Sequence, residues 1–162
     1  MRIATTFIAL LLSASVSTAQ DIESSASNAA ASRHLAMVID SVRSQKVQRV
    51  EIVEIPAELL TRVRVTPDAL QRDYYYKLAI RDIRRTRYQQ PLAAVLASVS
   101  ATSGGEMPDI RWGISFFDEA DKRIGSLYFD AMGIRGAIDS EPVEFNGDLL
   151  KWLRQNFLAA FK

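Results

Sequence analysis

Gly113-Ile-Ser-Phe-Phe-Asp118 and, twelve residues further on, Gly125-Ser-Leu-Tyr-Phe-Asp130 both read Gly-x-x-aromatic-Phe-Asp. Two readings compete. Matched acids behind matched aromatic residues could form a metal site or an acid–base couple. Alternatively, Trp112, Ile114 and Phe116 share one face of a strand, and Gly125, Leu127 and Phe129 share one face of the next, because side chains alternate along a strand. Each Asp then stands just before a turn, where its carboxylate can hydrogen-bond the bending backbone. One strand plus one turn accounts for the spacing. The D-x-[DN]-x-[DN]-G pattern of a calcium loop is absent around Asp118, Glu119, Asp121 and Asp130, as is its closing Glu. The repeat reads as an antiparallel meander, not as a ligand site.

Outward from the meander the pattern is α+β. Leu35, Val38, Ile39 and Val42 repeat at helical spacing from Arg33 to near Gln45. Val47–Ile55 is rich in β-branched residues and stops at Pro56, which predicts a strand. Ala57–Val65 is open between a helical turn and a short strand. Thr66-Pro67-Asp68 starts a short helix, and period-two alternation predicts a strand over Tyr74–Ile83. Pro91 opens a helix, PLAAVLASVSA, and Ser103–Asp109 is a loop. The strands Ile110–Asp118, Arg123–Asp130 and Ile134–Asp139 form the meander, with Pro142–Phe145 as a hairpin extension. Asn146 is expected to cap a final helix with Asp148 in its first turn, its Leu153 and Phe157 packing on Trp112, Ile114 or Phe116. The expectation is a mostly antiparallel sheet of about five strands, packed with N-terminal, central and C-terminal helices.

The first 19 residues read as an export signal: Arg2, an apolar run at Phe7–Leu12, and Ser17-Thr-Ala19 as the small-x-small cleavage pattern. That run is too short for a membrane span, which needs about 20 apolar residues. Residues 20–32 are a small, polar lead-in, and 33–162 one domain. The chain has no cysteine, so it carries no lipid-anchor site and no disulfide. A periplasmic or secreted protein is expected. Without Arg2, 20 − 1 = 19 basic residues balance 19 acidic ones. Residues 20–90 hold 12 Lys/Arg against 9 Asp/Glu, and residues 91–162 hold 7 against 10. That weak asymmetry argues against a nucleic-acid partner.

Missing residue types narrow the chemistry. Thiol nucleophiles and thiolate metal sites are excluded by the lack of cysteine, and His34 alone cannot build a two- or three-His zinc site. No G-x-S-x-G elbow, P-loop or G-x-G-x-x-G occurs. The expectation is therefore no catalytic, metal or cofactor site, and a protein-binding domain such as an inhibitor or immunity protein acting on an enzyme or toxin. Tyr75, Arg81, Arg84, Arg85, Arg87 and Tyr88 are the candidate partner-binding residues, since Arg and Tyr are favoured interface anchors. Against this, charge runs are usually solvated faces. The alternative is a small-ligand binder or hydrolase with a pocket between sheet and helix, lined by Trp112 and the tyrosines and using Glu51 or Asp118.

Overall fold

The computed structural model describes residues 28–161, without the side chains of the last two of these. The export-signal reading falls outside them. The helix α1 covers residues 28–43, followed by a turn in which Gln45 is left-handed at φ 58°. Then come β1 (Arg49–Glu54), α2 (Pro67–Arg72), β2 (Tyr76–Arg81), a 3-10 turn (Ile83–Arg85), α3 (Gln89–Ala97) and β3 (Ser100–Ser103). Strands β4 (Trp112–Phe117), β5 (Arg123–Phe129), β6 (Arg135–Ile138) and β7 (Glu141–Asn146) precede α4 (Leu149–Phe157) and a closing 3-10 turn.

The seven strands form one antiparallel sheet in the order β2-β1-β4-β5-β6-β7-β3. The α+β class and the meander follow the sequence pattern, but the expected five strands fall short by two. Ser100-Ala-Thr-Ser103 is too short and polar to announce a strand, and it forms by pairing with β7. That pairing also removes Asn146 from its expected capping role. Asn146 ends β7 opposite Ser100, and Asp148 takes the N-cap position of α4 without a side-chain capping bond. Residues 57–65 form turns and bends, neither helix nor strand.

The inner face of the sheet carries Ile52, Ile114, Phe116, Leu127, Phe129 and Ile138. They join Val38 of α1, Leu96 of α3, and Leu153 and Phe157 of α4 in the main core. Trp112 is 2% exposed within it. A second, smaller core lies on the outer face. There Val53, Tyr128 and Ala137 are covered by Ile55, Val65, Leu70 of α2 and Ile110. Helix α2 starts well, with Thr66 Oγ1 accepting from Ala69 N at 3.3 Å and Pro67 in its first turn.

The two sequence copies land on opposite pleats. A Cβ on Gly113 would meet the Tyr128 ring at 2.9 Å on the outer face, whereas one on Gly125 would meet Val38 at 2.8 Å on the inner face. Equivalent positions of the repeat thus do unrelated packing. Both acids serve turns: Asp118 Oδ1 accepts from Ala120 N and Lys122 N, each at 2.9 Å. Asp130 Oδ1 accepts from Met132, Gly133 and Ile134 N at 2.7–3.2 Å.

Candidate functional site

The residues singled out by sequence do not form one patch. Tyr75 stands just before β2 and Arg81 ends it, so a rise of about 3.3 Å per residue separates them by about 20 Å. Arg84, Arg85, Arg87 and Tyr88 follow on the turn beyond. Arg84 and Arg85 lie 3.8 and 3.5 Å from Asp82, and Arg84 also donates to Gln48. Arg87 donates to Tyr88 Oη at 3.0 Å, and the Tyr88 ring rests on Phe157 at 4.8 Å. Tyr88 is thus tied into the core, and Arg84 and Arg85 share the single carboxylate of Asp82. Like Arg87, Arg81 makes no ion pair among the described residues. It reaches into an open cleft of about 540 Å³ on the outer face, lined also by Gln48, Arg49, Glu51 and the acids of the 118–121 turn.

That cleft is internally compensated. Glu51 is paired with Arg49 and, at 3.1 Å, with Lys77; Arg49 also donates to Asp121 at 2.9 Å and lies 3.8 Å over the Phe117 ring. Asp118 is spent on its turn and Trp112 is buried, so neither lines a pocket between sheet and helix. His34 Nδ1 lies 3.6 Å from Asp139 on the surface. Among the described residues no three potential metal ligands gather, and no helix is long and apolar enough to cross a membrane.

A different surface emerges at the other end of the sheet. Tyr76, Glu54, Trp112, Phe129 and Gly136 lie side by side on five neighbouring strands, a row about 19 Å wide at a strand spacing of about 4.8 Å. The loops beyond this row carry Leu59, Leu60 and Val63; Tyr74 and Tyr75; and Met132 and Ile134. These are seven of the nine large apolar residues exposed among those described, with Met37 and Leu158 elsewhere. Leu60 is 98% exposed and Val63 77%.

Burial rules explain why such residues need a reason to stay outside, and the reason is visible in polar bonds beneath them. Arg111 is nearly buried and pairs with Asp109 at 2.6 Å. Its Nη1 donates to Leu59 O at 2.9 Å, and its Nη2 to Thr61 Oγ1 at 3.3 Å. Val65 N donates to Asp109 Oδ1 at 2.7 Å, Ile110 N donates to Val65 O, and Arg64 donates to Met107 O at 2.8 Å. Residues 59–65 are therefore strapped to 107–111, and the strap holds Leu60 out in solvent. The sequence signal was Asp109-x-Arg111, an acid and a base on the same side of an extended segment. Asp109 ends the expected loop, and Arg111 falls in the expected strand Ile110–Asp118.

Under this end lies Glu54, 6% exposed, with no hydrogen-bond partner for its Oε2 among the described residues. Burial raises its carboxyl above the ordinary 4.5; nearby Arg154 opposes the rise and Glu58 adds to it. The Arg154 guanidinium is held by Ala131 O at 2.7 Å and lies 5.7 Å from the Trp112 ring. A raised folded value means that the stability contributed by this group is fully present below pH 4.5 and is lost as pH rises through the folded value. Glu54→Gln is expected to stabilise the fold near neutrality by about 1 kcal/mol. It should also flatten the pH dependence above 4.5, read from urea midpoints on both sides of that value. Equal midpoints for the two proteins at neutral pH would contradict this.

In comparisons with protein-family models, curated proteins and solved structures, nothing matches this chain. Fold and surface alone define its class: an α+β domain built on one seven-stranded antiparallel sheet, with an ordered apolar end.

Proposed function

We propose that this is an exported, cofactor-free protein-recognition domain, acting as an inhibitor of a cell-envelope enzyme or as an immunity protein against a delivered toxin. The observation that carries the reading is the apolar end, where Leu59, Leu60 and Val63 are held in solvent by the Arg111–Asp109 strap. Interfaces are anchored by a few large side chains entering a partner's pockets. Anchors already held in their bound geometry lose less entropy on binding. Tyr75, whose ring meets that of Tyr76 in a T-shaped contact at 4.8 Å, adds an amphipathic anchor beside them. Export follows from the reading of residues 1–19 and suits a chain without cysteine.

The arginine run 84–87 is secondary in this view, because Arg84 and Arg85 already lie against Asp82 and Arg87 is engaged with Tyr88. The test uses the full-length mature chain as bait in a gentle cell-envelope extract, beside a Leu60→Asp/Val63→Asp variant. The wild type is expected to retain a protein at one-to-one stoichiometry that binds again when purified. The variant should lose affinity by at least about 100-fold with an unchanged melting temperature. A partner held equally by both proteins, or none held by either, would overturn the assignment.

A further inference from the structure

The sheet has two edges, and they are treated differently. On β3 the backbone N–H of Ser103 donates to Asn28 Oδ1 at 2.6 Å, so the start of the described part of α1 covers that edge. Among the described residues, strand β2 has no such cover on its outer rim. Which of its backbone groups point outward follows from β1. Ile55 N donates to Arg111 O, directly across from it in the β1–β4 register. Odd-numbered residues of β1 therefore bond to β4. The even ones, Val50, Ile52 and Glu54, face β2 opposite Ile80, Leu78 and Tyr76. The N–H and C=O groups of Lys77 and Ala79 point away from the sheet, and no partner for them exists among the described residues.

An exposed strand edge is a template for another strand, and here the sequence selects the occupant. In an antiparallel pair, outward-pointing residues must face outward-pointing residues. Two copies of β2 can thus meet about a two-fold axis only in registers that pair odd positions with odd. Centred on Lys77 or on Ala79, such a pairing sets Lys77 against Lys77 or against Arg81 of the other copy, which like charges oppose. Centred on Leu78, it sets Lys77 against Ala79, Leu78 against Leu78 and Tyr76 against Ile80. The half-buried apolar side of β2 then meets itself. The last turn, Leu158–Phe161, packs against β2, whose half-buried side is that of Tyr76, Leu78 and Ile80.

We infer that β2 is the seam of a two-fold dimer, centred on Leu78, that joins two seven-stranded sheets into one continuous sheet. This does not depend on the recognition reading, which concerns loops at the end of the strands.

Ala79 is exposed and its side chain leaves the seam, so charge can be added there without disturbing the core. The full mature chain is compared with A79K and A79E by sedimentation equilibrium over a concentration series. Wild type is expected to dimerise. A79K places a lysine opposite Lys77 twice and should weaken the dimer about tenfold, whereas A79E should tighten it by a similar factor. Amides of Lys77 and Ala79 should exchange slowly in the dimer and fast in A79K, while the amides of β4 and β5 stay protected in all three proteins. A wild type that stays monomeric, or variants that shift in the same direction, would overturn the inference. So would a dimer indifferent to both charges.

Discussion

Gly136→Ala is expected to cost the fold about 3 kcal/mol or more, one methyl group notwithstanding. A Cβ at this position would fall 1.8 Å from the Tyr128 carbonyl oxygen and 2.8 Å from Cε2 of Phe145. The first is backbone and cannot rotate away. The second belongs to a buried ring packed at a tilt on Phe129, with centroids 4.6 Å apart. Relief therefore requires β5 and β6 to separate where Phe129 pairs with Gly136. Because β6 stands between β5 and the β7–β3 pair in the sheet order, the strain is not confined to an edge. The expected readout is a melting temperature lower by about 10 °C, with loss of amide protection in β6 and β7. Gly105→Ala supplies the contrast: its left-handed φ of 82° strains a Cβ, but nothing lies within 4 Å of it. Its cost should stay near 1 kcal/mol. Equal melting of Gly136→Ala and wild type would show that the strand approach relaxes freely.

What could be read from the chain depended on the range of the interaction. The meander was legible because its information is local: alternation within Trp112–Phe116 and Gly125–Phe129, and an Asp before each turn. Helix α2 was legible for the same reason, through Thr66 and Pro67. Strand β3 was not, since four small polar residues become a strand only by meeting β7 some forty residues later. The candidate site followed the same rule. Composition drew attention to the arginine run, yet Asp82 and Gln48 already engage it across a fold that no local pattern specifies. The apolar end went unnoticed because Leu59, Leu60 and Val63 look like core residues in sequence. Only the bonds from Arg111, about fifty residues downstream, turn them outward.

That dependence yields the second large effect. Arg111→Met keeps the length and apolar stem of the side chain but removes the fork that serves Asp109, Leu59 O and Thr61 Oγ1 together. Arg111→Lys keeps the charge, yet one ammonium cannot match this planar set of acceptors. Both variants are expected to release residues 57–63, so their amides should exchange about 100-fold faster for a local loss of about 1–3 kcal/mol. The strands should keep their protection, because Val53, Leu70 and Tyr128 hold the outer core without Arg111. Partner affinity should fall by at least about tenfold in each variant, although Arg111 is buried and touches no partner, because the anchors must then be ordered on binding. A lysine variant that restores both slow exchange and affinity would reduce the strap to a simple charge. Fast exchange with undiminished affinity would show that the outward geometry of Leu60 is not what a partner reads.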